Sequence, residues 1–186
     1  ISDPLTQSVV DSILVAENFG VNERVNTSYN LNYRYYNKGQ SLNIDFDYGN
    51  YQNKDEKNQP NLYYNSSEDS VLTETINSFN TPIDIEIYTA KLDYEKTLGK
   101  GKLGLGTKFS LVTTHNTFKV FDVVNNVSII DNSLSNLFDY DENVYAGYLS
   151  FSHPLGEKWS MIAGVRAEHT DAVGALRILE SIRFHK

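Results

Sequence analysis

The sequence predicts an all-β protein, an antiparallel meander of about six long strands forming part of a transmembrane outer-membrane β-barrel. Three observations carry that prediction. Apolar and polar residues alternate over arms of ten residues or more, the connections run short, long, short, long, short, and aromatic residues gather at both ends of the arms. Side chains of a strand point to opposite faces with period two, so each arm has one apolar and one polar face. Soluble strands average ~5–6 residues, whereas a membrane-crossing strand needs roughly 9–11 tilted residues of this kind.

The clearest hairpin runs from Tyr88 to Thr114. Tyr88, Ala90, Leu92 and Tyr94 alternate with Thr89, Lys91, Asp93 and Glu95. After the tight connection Leu98-Gly99-Lys100-Gly101, Leu103, Leu105, Phe109 and Leu111 alternate with Lys102, Gly104, Gly106, Lys108 and Ser110. Ile83, Ile85 and Ile87 have the opposite parity to Tyr88, Ala90 and Leu92, and a β-bulge near Ile87-Tyr88 is expected to reconcile them.

Composition narrows the class. The 186 residues include 13 Tyr, 9 Phe and 20 Asn, which favours strands joined by turns over disorder. A net charge of −8 lacks the basic footprint that nucleic acid needs. Without cysteine there is no disulfide framework and no thiolate metal site. No stretch approaches the ~20 apolar residues of a membrane helix, which does not bear on barrel strands. With neither an initiator Met nor a signal peptide at Ile1, the chain is expected to be an internal fragment or a processed product.

In chain order, residues 1–24 read as a loop or short helix. Ser2-Asp3-Pro4 resembles a helix start, and Leu5, Val9, Ile13 and Ala16 recur at roughly helical spacing. Residues 25–171 read as the barrel segment of three long hairpins. In the first, Val25, Thr27, Tyr29, Leu31, Tyr33 and Tyr35 share a face, and after Asn37-Lys38-Gly39 so do Leu42, Ile44, Phe46 and Tyr48. Residues 52–82 read as a long polar connection. The central hairpin follows, then a connection over 114–142 that extends the strands above the membrane through Phe118, Val120 and Val123. The third hairpin pairs about 143–152 with 159–170. Residues 172–186 read as a truncated tail, with Leu176, Leu179 and Ile182 at helical spacing.

Motifs for chemistry are weak. Gly99-Lys100-Gly101-Lys102-Leu103-Gly104 matches the dinucleotide pattern, but an alternating strand follows where a helix is required. Asp139-Tyr140-Asp141-Glu142-Asn143 starts like a calcium loop, yet Val144 replaces the required Gly and Ser150 the bidentate Glu. His115, His153, His169 and His185 have no metal-ligand spacing. Asp45/Asp47 and Asp93/Glu95 are spaced as a hydrolase pair might be, but Lys91, Lys102 and Lys108 share their faces, so a mixed-charge wall is the better reading. Arg166 and Glu168 read as an ion pair of that wall. No enzyme activity, cofactor or metal is expected, and the sequons at Asn26, Asn65 and Asn126 reflect Asn-richness.

Leu31-Asn32-Tyr33-Arg34-Tyr35 with Asn37 to Leu42, and the closing Ala163-Gly164-Val165-Arg166-Ala167-Glu168-His169-Thr170, resemble the outer-membrane β-barrel family related to TonB-dependent receptors. The likeness covers about residues 10–171. It implies a middle slice of a barrel of about 22 strands in the outer membrane of a Gram-negative bacterium, receiving or importing an unknown extracellular ligand. The plug domain and TonB system would act only in the full-length protein.

Under this reading Leu31, Ile44, Leu92, Leu105, Leu149 and Val165 face outer-membrane lipid. Arg34, Asp45, Asp47, Lys91, Asp93, Glu95, Lys108, Arg166 and Glu168 line the lumen or touch a plug. Two other classes fit the same letters: a soluble β-sandwich that binds glycan or protein, and a small structural barrel or adhesin.

Overall fold

The computed structural model describes residues 11–124 and 127–179. It is one antiparallel sheet of eight strands, β1 (Ser12–Ala16), β2 (Phe19–Asn37), β3 (Gln40–Asn65), β4 (Val71–Asn80), β5 (Ile83–Leu98), β6 (Gly101–Val124), β7 (Val127–Pro154) and β8 (Ser160–Ile178). Two pairs of these follow one another along a single ribbon. β1 and β2 keep one continuous register against β3, interrupted at residues 17–18 opposite Gln59-Pro60. β4 and β5 do the same against β3 and β6, interrupted at Thr81-Pro82. Proline has no N–H to give to a ladder, so breaks fall where it sits. The result is six ribbons, ordered β1/β2, β3, β4/β5, β6, β7, β8 across the sheet.

Three tight connections join neighbouring ribbons at one end. Lys38 and Gly39 both take positive φ in the first, and Gly99 in the second, the left-handed geometry that two-residue hairpin turns demand. At the other end the ribbons are far longer than a membrane requires. The polar connection expected over 52–82 is instead the upper half of β3, a turn, and β4. The one expected over 114–142 is the upper parts of β6 and β7. Polar Asn, Asp and Lys suggested loops there, but cross-strand pairing overrides propensity when both faces of a ribbon can be wet.

Three further expectations change. Ile13 and Ala16 lie in β1 rather than a helix; Ser2, Asp3, Pro4, Leu5 and Val9 lie outside the described residues. The tail expected from residue 172 continues as strand to Ile178, so Leu176 is a strand residue, while Ile182 lies outside the described residues. No bulge occurs at Ile87-Tyr88, where Gly49 and Tyr48 on one side and Val112 and Leu111 on the other keep unbroken register. The irregularities fall instead at Tyr63/Tyr64 and Phe118/Val120.

With continuous register, the change of parity means that the apolar residues change faces. Toward the tight turns one face carries Leu92, Leu105 and Leu149; beyond the Tyr29–Tyr48–Tyr88–Leu111 row the opposite face carries Ile85, Ile87, Val112, Phe138 and Tyr140. On the first face the apolar row positions from Leu103 to Leu111 span roughly 26 Å of strand, or about 20 Å of height at a ~40° tilt.

The sheet has a single layer. Val120 and Ala146 are the buried apolar residues among those described, while Leu31 is 68% exposed and Val165 71%.

Candidate functional site: the polar face between the turns and the tyrosine row

Register places all nine residues expected to line a lumen on one face and all six expected to meet lipid on the other. Across all six ribbons, one polar row reads Asn32, Asp45, Lys91, Lys108, Ala146 and Glu168 over β2, β3, β5, β6, β7 and β8. The next reads Arg34, Asn43, Asp93, Gly106, Tyr148 and Arg166. Between them on the other face runs Tyr33, Ile44, Leu92, Thr107, Gly147 and Ala167.

The polar face is knitted by amide and carboxylate groups. Asn30 Nδ2 donates to Asp47 Oδ1 at 2.6 Å, and the amides of Asn32 and Asn43 both donate to Asp45. Arg34 Nε donates to Asn43 Oδ1 at 3.3 Å. Lys91 Nζ lies 2.6 Å from Asp93 Oδ2. Arg166 donates to Glu168 Oε2 at 2.6 Å, the wall ion pair that their spacing suggested. Opposite charges two residues apart on one strand share a face, and such pairs stabilise weakly when exposed.

Tyr148 was not among the expected site residues, yet it centres the face. Its hydroxyl donates to Asp93 Oδ1 at 2.5 Å across the whole width of β6. That reach is possible because Gly106 lies under the ring; a Cβ there would run into the Tyr148 ring. Asp93 thereby gains a hydroxyl beside the Lys91 ammonium. The sequence shows a Gly at 106 and a Tyr at 148, but their juxtaposition depends on the β6–β7 register.

Beyond the tyrosine row a second cluster joins three ribbons on the other face. His115 Nδ1 lies 2.8 Å from Asp139 Oδ1, and Arg177 donates to Asp139 Oδ2 at 2.6 Å. The hydrogen bond to Asp139 raises the His115 pKa above the ordinary imidazole value. Asp139 is held below the ordinary carboxylate value, first by His115 and then by the Arg177 charge. Sequence spacing left His115 isolated, because its partners come from β7 and β8.

The sequence model of the outer membrane protein beta-barrel family matches residues 33–183. The chain belongs to that family. It is an outer-membrane protein, and the all-β meander fits the barrel fold its family is named for. A comparison with curated proteins finds no match. Residues 33–183 take in the three tight turns and every ribbon of the sheet except most of the first, of which they hold only residues 33–37.

Proposed function

We propose that this chain is barrel wall from a TonB-dependent-receptor-like protein that binds or imports an extracellular ligand. Leu31, Ile44, Leu92, Leu105, Leu149 and Val165 face lipid, and the Asp45–Lys91–Asp93–Tyr148–Arg166 face lines the lumen or meets a plug. One observation supports this most directly. A single-layered sheet leaves a broad apolar face uncovered, where a soluble sandwich would bury it beneath a second sheet. The mixed charges of the other face suit a wet lumen. The plug and the TonB system belong to the full-length protein under this reading.

Detergent dependence and charge scanning test it together. The protein should require detergent or a bilayer to stay folded, and Leu92→Arg or Leu105→Arg should cost roughly 2–4 kcal/mol near the midplane. Thr89→Arg, on the opposite face, should cost little. A soluble, monomeric, β-rich species with a cooperative melt in the absence of detergent would overturn the proposal in favour of a binding module.

A further inference from the structure

On the apolar face, just below the tyrosine row, lies a groove of about 360 Å³. Leu31, Phe46, Ala90, Phe109 and Leu111 form its floor and walls, and Tyr29, Tyr48 and Tyr88 border it above. Ala90 makes the trough, since it stands between Phe46 and Phe109 in one cross-strand row. The three tyrosine rings lie side by side over β2, β3 and β5, with centroids 6.1 Å and 4.9 Å apart.

The rows immediately above the groove are acidic. Asn50, Glu86 and Thr113 come first, then Gln52, Asp84 and His115. Asp84 and Glu86 are half-buried, and neither is in an ion pair within 4 Å among the described residues. Asp84 accepts from Asn50 Nδ2 at 2.7 Å and from Gln52 Nε2 at 3.4 Å, and Glu86 accepts a long 3.4 Å bond from the Tyr48 hydroxyl. His115 opposes Asp84, but its Nδ1 is engaged by Asp139. Two carboxylates therefore sit directly over an apolar trough, at the level where aromatic side chains mark a membrane interface.

We propose that this groove seats one acyl chain of a lipid whose head group carries an ammonium, with Glu86 and Asp84 as counter-ions. The inference rests on the reading that this face meets lipid. The volume, at the low end of the ~300–1,000 Å³ of small-ligand sites, suits part of one chain and not a folded partner. Charge complementarity selects the head group, because a head bearing only phosphate would be repelled by the two carboxylates.

Native mass spectrometry of the protein purified from its membrane tests this, after exchange into mild detergent with phosphatidylethanolamine or phosphatidylglycerol. One phosphatidylethanolamine should be retained at least several-fold over phosphatidylglycerol. The Glu86→Gln/Asp84→Asn variant should lose that preference while still retaining a lipid, and Ala90→Phe should lose retention of both. Equal retention of the two lipids, or a preference unchanged in the double variant, would overturn the proposal. So would phosphatidylglycerol binding that chelation with EDTA abolishes, which would mean a bridging divalent cation. A protein that stays folded without detergent and retains no lipid would instead defeat the lipid-facing reading itself.

Discussion

Tyr148, Asp93 and Gly106 show how one residue choice depends on another three ribbons' worth of register away. Removing the hydroxyl in Tyr148→Phe takes a hydrogen bond from a charged acceptor, an effect of about 1.5–3 kcal/mol. Gly106→Ala should cost more, since its Cβ drives the ring off Asp93 and also strains the sheet. Chemical unfolding of both single variants and the double should show strong non-additivity, because both act through the same contact. Independent, additive losses would mean that the ring does not lean on Gly106. At the other cluster, Asp139→Asn should let the His115 pKa fall back toward ~6.5, readable by NMR titration of the imidazole. The sign follows from the shifts. His115 is raised, so its contribution is complete below the ordinary imidazole value and fades as pH climbs through the elevated one. Asp139 is lowered, so its contribution is complete above the ordinary carboxylate value and fades as pH falls through the depressed one. The His115–Asp139–Arg177 cluster is therefore tightest between those limits, and Arg177 keeps Asp139 paired on the alkaline side.

Among the strands, β5 carries the feature that matters most, the crossing of its apolar residues from one face to the other at Ile87-Tyr88. A wall leaving a membrane has to do this without breaking its ladder. Lipid rewards an apolar outer face below the boundary, and water rewards a polar outer face above it. Ile83, Ile85 and Ile87 accordingly sit opposite Asn53, Tyr51 and Gly49 on the face that is polar lower down. Inserting one glycine between Ile87 and Tyr88 should throw the isoleucines onto the other face and put the upper ladder out of phase. Loss of folded protein in a heat-modifiability gel is the expected result; a native-like yield would mean that a bulge is tolerated there after all. The alternation in the lower arms was legible from the letters because one face of each strand is predominantly apolar and the other polar. The upper arms were not, because Lys54, Asp55 and Glu56 meet water and, with Asn53, read as loop. The breaks at 17–18 and Thr81-Pro82 were equally hidden, since a ribbon can lose two pairings and keep its register.

At the scale of the molecule, six ribbons form a sheet that, among the described residues, has two unpaired long edges, β1/β2 and β8, and almost no buried core. Such a sheet has little reason to persist in water, where free edges and apolar faces invite aggregation. In an outer membrane the apolar face is solvated by lipid and closure of a barrel pairs the edges. The segregation of lipid and lumen candidates was legible in the sequence because a period of two assigns faces within each strand. The Tyr148–Asp93 clamp, the His115–Asp139–Arg177 cluster and the groove around Ala90 were not, because each is assembled across ribbons whose relative register the letters do not state. The central claim is that the tyrosine row marks where the wall leaves the bilayer. A spin-label scan of residues 83–98 in β5, in liposomes, tests it most directly. The account predicts oxygen accessibility peaking at Tyr88, Ala90, Leu92 and Tyr94 with period two, and water-soluble reagent reaching Asp84 and Glu86 while Ile85 and Ile87 stay shielded from lipid. Oxygen accessibility with one unbroken phase through Ile83, or uniform access to water-soluble reagent along both faces, would contradict it.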